Sequence, residues 1–186
     1  MMKICDDIGE MVDRFRMTFL NDVRECIFRK DVPTITACAH QMGPFHQGDH
    51  ADLPNWVIEK FLKHNLVDLA AEDAYESLRR VENLYREDEK QPHKLQPFHP
   101  NLYAALNRKL LRLESDKTSL DPRSYEEIEK LKRIIPFLVE SRLSKIVRAA
   151  KSGAYLEMRK QMANEERWLC EELSRIVSEW RDRVMR

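Results

Sequence analysis

Apolar side chains recur at helical spacing over most of the chain, and the one stretch where they do not lies near its start. Ile4, Ile8, Met11, Val12, Phe15 and Phe19, separated by Asp, Glu and Arg, predict an amphipathic helix over residues 3–19. The period then breaks. Val23 to Ala37 is rich in β-branched and apolar residues (Val23, Ile27, Phe28, Val32, Thr34, Ile35, Thr36) and is interrupted by Asp31 and Pro33, the pattern of two short strands or one bulged edge strand. Gly43-Pro44 and Gln47-Gly48-Asp49 read as turns. Asp52-Leu53-Pro54 reads as a helix start, an acidic residue ahead of a proline in the first turn. That helix would bury Val57, Ile58, Phe61 and Leu62 and stop near Asn65, with Leu66-Val67-Asp68-Leu69 as a closing strand. About fifty residues hold only a marginal core, so this small α+β unit is expected to lean on the first helix or on a partner.

Helical spacing returns from Ala71 to Glu89 through Ala74, Tyr75, Leu78, Val81 and Tyr85. A charged run follows, then a connector punctuated by Pro92, Pro97 and Pro100, then a second periodic segment through Tyr103, Leu106, Leu110 and Leu113. With no Gly or Ser in the connector, this predicts helix, rigid corner, helix, with Pro100 in the first turn of the second helix. After a polar loop from Ser115 to Arg123, another long segment runs from Tyr125 to Ala150, with Ile128, Leu131, Ile135, Leu138, Leu143, Ile146 and Ala150 on successive turns. Pro136 inside it predicts either a kink or a break near Arg133. Ser152-Gly153 ends that helix, and Asn164 reads as the N-cap of the last one. There Trp168, Leu169, Leu173, Ile176, Val177, Trp180 and Val184 form one broad apolar face. Its burial would contribute on the order of 10 kcal/mol before entropy, at roughly 1.5–3 kcal/mol per large side chain. Trp168, Leu173, Ile176 and Trp180 are the interface candidates on it. The expected fold is therefore mostly α: an N-terminal helix (1–20), a small β-rich domain (21–69) and a helical-bundle domain (70–186).

Composition agrees with the periodicity. Of 186 residues 34% are charged and 42% apolar, with 4 Gly, which suits a helix-rich protein better than a sandwich or a Rossmann fold. Net charge is zero, yet residues 1–90 carry 12 Lys/Arg against 18 Asp/Glu and residues 91–186 carry 20 against 14. The split suits complementary assembly surfaces or a basic face toward nucleic acid, although solvated helix faces account for it more simply. Cys5, Cys26, Cys38 and Cys170 are far apart and form no Cys-x-x-Cys pair, so reduced, buried thiols and an intracellular setting are expected. Asp6, Asp7 and Glu10 interrupt any signal-peptide pattern, and no stretch approaches the ~20 apolar residues of a membrane span, so a soluble, non-exported protein with no membrane partner is expected.

Little of the sequence points to catalysis. Cys38, His40, His46 and His50 could in principle hold zinc, but Cys-x-His-x5-His-x3-His matches no zinc module, so no metal and no cofactor are expected. There is no His-Glu-x-x-His, no Gly-rich phosphate loop and no Gly-x-Ser-x-Gly. The acid pairs Asp6/Asp7, Glu126/Glu127, Glu165/Glu166 and Glu171/Glu172 fall on predicted helix starts or faces, where the helix dipole accounts for them. No catalytic residue, and no enzyme, is therefore expected. Arg142, Lys145, Arg148 and Lys151 advance three residues at a time and form a candidate basic face. It could meet phosphates, but without interleaved aromatics for base stacking, ion pairing is the better reading and a helical DNA-binding regulator the alternative function.

Lys94-Leu95-Gln96-Pro97-Phe98-His99-Pro100-Asn101-Leu102-Tyr103 resembles the lead-in to the helical domain of GINS subunits, the small replication factors that accompany the MCM helicase. Asp31-Val32-Pro33, Gly43-Pro44-Phe45, Gly48-Asp49 and Leu53-Pro54-x-Trp56, in that order, look like their small β-rich domain. Arg142-x-x-Lys145-Ile146 followed by Ala, and then Asn164-Glu165-Glu166-Arg167-Trp168-Leu169, resemble later helices of the same domain. Together they cover roughly residues 23 to 184, in the order of the subunit class whose β-rich domain comes first; Pro136 and the long N-terminal helix depart from that pattern. The resemblance implies a non-catalytic structural subunit of a homo- or hetero-tetramer of related chains. Such a complex bridges the MCM helicase and a RecJ-family protein, stimulates the helicase and touches DNA at most weakly. The compact loops look archaeal, which implies a cytoplasmic, nucleoid-associated replisome. The residues carrying the resemblance are Leu53, Pro54, Trp56, Leu95, Tyr103, Arg142 and Lys145.

Overall fold

A computed structural model of the chain describes residues 7–37, 40–115 and 122–185. Expectations that fall on Ile4, Cys5, Asp6, Cys38 and residues 116–121 lie outside the described residues. The fold is mostly α with a small α+β part, as the hydrophobic pattern predicts, and it divides into two compact units, Met1–Ala74 and Tyr75–Arg186. Among the described residues no helix is long and apolar enough to cross a membrane.

The first unit runs α1 (Ile8–Asn21), β1 (Val23–Phe28), β2 (Ile35–Ala37), β3 (His40–Met42), β4 (His50–Pro54), α2 (Asn55–Lys63) and β5 (Val67–Leu69). β1 is the centre of an antiparallel sheet in the order β4-β1-β5, with Cys26 opposite Ala51 on one side and Leu69 on the other. Alternation along β1 turns Arg24, Cys26 and Phe28 inward. Cys26 and Phe28 join Val32, Leu53, Val57, Ile58, Phe61 and Val67 in one core, with Trp56 half-buried against it. Burial, followed by the charges of Asp52 and Glu25, pushes the Cys26 thiol up to about 11, so it is a core side chain and not a reactive one. The inward-facing Arg24 is satisfied differently. Its guanidinium bonds the Asn55 side chain and the Asp73 carbonyl (3.0 Å), while the Asn55 amide bonds the carbonyls of Phe19 (2.8 Å) and Asp22 (3.1 Å). This buried polar link ties the end of α1 to the start of α2.

Of the two readings of Val23–Ala37, two strands is the one found, and they belong to different sheets, because β2 pairs with β3. Other sequence expectations need correction. His50–Pro54 is a strand and not a helix start: Asp52 sits opposite Glu25 in the ladder, and Pro54 ends the strand as the residue before α2. Proline at a strand's last position gives up no necessary ladder bond. Asn65 does take the left-handed conformation (φ 53) after α2. Residues 71–77 are turns and not the start of the next helix, because the Asp73 carboxylate is drawn back to accept the Glu25 backbone N–H (2.8 Å).

The second unit contains α3 (Leu78–Lys90), α4 (Leu102–Ser115), α5 (Pro122–Ser152), α6 (Tyr155–Met158), a 3₁₀ turn (Arg159–Gln161) and α7 (Asn164–Val184). The 31-residue α5 is the spine, and α3, α4 and α7 pack on it. Ile128, Leu131, Ile134, Leu138, Ile146 and Ala149 are its buried line, at the spacing of one helix face. Pro136 neither breaks α5 nor ends it. Its ring lies on the exposed side, so the carbonyl one turn back that lacks an N–H partner can be solvated. α4 begins at Leu102, two residues after Pro100. The residue capping α7 is Ala163; Asn164 instead bonds the Pro100 carbonyl through its N–H (2.9 Å) and the Asn101 side chain through its amide (2.9 Å).

Candidate functional site

Four of the charged side chains buried in the second unit gather in one cluster: Asp88 at the end of α3, Arg142 and Lys145 in the middle of α5, and Glu166 in the first turn of α7. Arg142 is 0% exposed and makes a two-pronged bond to Glu166, Nε to Oε1 at 2.8 Å and Nη2 to Oε2 at 2.7 Å. Two further donors go to the carbonyls of Gln96 (2.7 Å) and Gln161 (3.0 Å), and its carbon lies 3.8 Å from the centre of the Phe98 ring. Glu166 accepts two further bonds, from the Tyr103 hydroxyl (2.7 Å) and from the Ala163 N–H (2.9 Å), the latter closing the first turn of α7. Lys145 pairs with Asp88 (2.7 Å) and bonds the carbonyls of Asp88 and Gln91 (3.0 Å each). Asp88 also accepts from the Ser141 hydroxyl and lies 3.9 Å from Arg142.

Two cations and two anions make the cluster neutral, the condition under which burying charge is tolerable. Its partners come from α3, the 91–101 connector, α4, α5, the 3₁₀ turn and α7. The connector therefore follows a fixed path without regular structure of its own, because the carbonyls of Gln91 and Gln96 are held by α5 and the Phe98 N–H bonds the Gln161 carbonyl (3.1 Å). Leu95, on the same connector, is buried with Ile146, Met162 and Cys170.

The candidate basic face is corrected accordingly. A three-residue step rotates about 60° backward at 3.6 residues per turn, so the four cations wind halfway round α5 instead of sharing a side. Arg142 and Lys145 face the core, and Arg148 and Lys151 are exposed. Arg148 lies 2.9 Å from the His93 ring nitrogen. Two histidines of the first unit face acids: His50 Nδ1 is 2.8 Å from Glu25, and His46 Nδ1 is 3.7 Å from Asp31.

Burial, then the charge of Glu166 and the bond to it, holds the Tyr103 hydroxyl proton well above its ordinary range near 10. Above roughly pH 10 the unfolded chain releases this proton and the folded chain keeps it. The unfolded state then binds fewer protons, so unfolding free energy falls as pH rises from there. Tyr103→Phe is expected to lose about 1.5–3 kcal/mol at neutral pH, for a bond to a charged acceptor, and to show a shallower decline between pH 9 and 11. Denaturant titrations of both proteins across that range check it; parallel pH profiles would contradict it.

The interface candidates divide along α7. Arg142 meets Glu166 and the Ile146 carbonyl meets Cys170, each across 24 residues, so α5 and α7 run side by side in the same direction. On that offset α5 ends, at Ser152, where α7 reaches residue 176. Trp168 and Leu173 are half-buried, whereas Ile176 is 53% exposed, Trp180 62%, and Val184 is also open. The broad face read from sequence is thus packed over its first half and overhangs over its second. Beside the cluster, a groove of about 330 Å³ lined by Val139, Leu143, Ile146 and Leu169 adds apolar surface on the α5 side. Asp88 and Phe98 carry no sequence signal of their own, and Glu166 reads as an ordinary helix-start acid. In comparisons with known proteins, no family model and no curated protein matches the chain.

Proposed function

We propose that this chain is a non-catalytic structural subunit of a GINS-like DNA replication complex. Its helical unit assembles with related chains, as a homo- or hetero-tetramer, and the complex bridges an MCM-type helicase and a RecJ-family protein. The observation that carries the proposal is the overhang of α7. Ile176, Trp180 and Val184 recur at i, i+4 and i+8 on a helix whose other end is fixed by a buried charge cluster. A rigid rod with a row of large apolar side chains at its free end suits burial against another subunit. Each side chain would contribute about 1.5–3 kcal/mol on full burial.

The GINS-like reading is supported by the placement of the residues that carry the resemblance. Leu95, Tyr103, Arg142 and Lys145 lie in or directly against the buried cluster; Leu53 and Trp56 lie in or against the core of the small unit. The hydroxyl of Tyr103 and the cations of the cluster are all engaged in holding helices together, which suits a scaffold. The small unit, with β4 and β5 at the edges of its sheet, is the element assigned to partner docking. The regulator reading is weakened because Arg142 and Lys145, half of its basic face, are buried. Affinity capture from native extract is expected to enrich an MCM-family or RecJ-family protein. Enrichment of neither, from an extract in which both are detectable, would count against the proposal.

A further inference from the structure

A second concavity, of about 340 Å³, lies between α3 and α5 and is lined by Glu82, Tyr85, Arg86, Arg133, Ile134 and Phe137. Phe137 is 61% exposed on a helix whose opposite side is firmly packed. Arg86 and Arg133 come to the cleft from different helices, and among the described residues neither forms an ion pair or a hydrogen bond. The other arginines of this unit described above, Arg142 and Arg148, each have a partner. Two guanidinium groups beside two aromatic rings, with one carboxylate, describe a ligand that is anionic at one end and flat at the other.

We propose that this cleft binds a nucleoside phosphate, either free or as one unit of a single-stranded nucleic acid. The base stacks on Phe137 and Tyr85, and its phosphate is bound by Arg86 and Arg133, whose planar forks suit phosphate oxygens better than a lysine would. Glu82 accepts an N–H from the base edge, and Ile134 lines the apolar floor. The size suits one nucleotide, at the lower end of the ~300–1,000 Å³ typical of small-ligand sites, and not a stacked base pair. The exposed Arg148 and Lys151 are not among the residues that line this cleft. It adds a ligand site that does not depend on the assembly role.

The test uses the full-length chain and fluorescence anisotropy of a labelled 12-nucleotide single strand of mixed sequence, its duplex, and adenosine 5′-monophosphate as competitor. The single strand is expected to bind more tightly than the duplex. Phe137→Ala is expected to weaken it about 5-fold or more, and Phe137→Trp, which keeps a flat face, to retain it. Arg86→Ala and Arg133→Ala are each expected to lower the salt slope by about 0.7. Arg148→Ala/Lys151→Ala is expected to bind like the parent. Competition by the mononucleotide would identify a free nucleotide as a sufficient ligand; its failure to compete, with the cleft variants still weakened, would identify the strand. Absence of binding to both probes overturns the proposal. So does equal affinity for duplex, an equal loss in Phe137→Trp and Phe137→Ala, or a loss in the Arg148/Lys151 variant that the cleft variants do not share.

Discussion

Arg142→Ala is expected to destabilise the helical unit by about 3–5 kcal/mol, the range for removing one member of a buried ion pair. The cost comes mainly from what remains. Glu166 would stay buried with only Tyr103 and Ala163 as donors, the carbonyls of Gln96 and Gln161 would lose their partners, and Phe98 would face a void. Lys145 would still neutralise Asp88, so the other half of the cluster should survive. Because Arg142 and Glu166 act as a unit, Arg142→Ala/Glu166→Ala should cost less than the sum of the single variants, by up to about 3 kcal/mol. Guanidinium titrations of the four proteins measure both quantities. A loss under about 1 kcal/mol for Arg142→Ala would mean that apolar packing on α5 alone fixes the helices.

Trp180→Asp and Ile176→Asp are expected to act in the opposite way, leaving the fold intact and abolishing assembly. Both side chains are more than half exposed in the single chain, so unfolding free energy should move by no more than about 0.5 kcal/mol. A buried tryptophan anchor at an interface is commonly worth about 2 kcal/mol or more, which corresponds to at least a 30-fold rise in the dissociation constant. Light scattering against concentration, paired with thermal melts, separates the two effects. Unchanged mass in both variants would place the assembly surface elsewhere.

These expectations depend on features that sequence patterns reveal unevenly. The long helices are legible because apolar periodicity sustained over a dozen or more residues rarely arises except on a helix with one buried face, and α5 reads as one buried line even though Pro136 leaves its continuity open. The short strands β3 and β4 are not. Three to five residues carry too little pattern, and Pro54 at the end of β4 imitates the first turn of a helix. The break at 71–77 is hidden because its cause, the bond from Glu25 to Asp73, spans 48 residues. The buried cluster is concealed by its own chemistry. Arg, Lys, Asp and Glu in an amphipathic helix normally mark the solvent side, and only three-dimensional pairing distinguishes Arg142 from Arg148. The last helix shows the converse limit: periodicity marks Ile176 and Trp180 as a face to be covered, but that the cover lies beyond the end of α5 depends on the 24-residue offset between the helices.

The proposed role in replication is read in the rate of a helicase, and unwinding of a forked DNA by an MCM-family helicase from the same source measures it. Addition of this protein is expected to raise the unwinding rate and to retain a complex of the two on gel filtration, while the chain alone hydrolyses no ATP. Trp180→Asp, folded but unassembled, is expected to lose the stimulation. An unchanged unwinding rate, with no complex formed at micromolar concentrations of the assembled protein, would contradict the account.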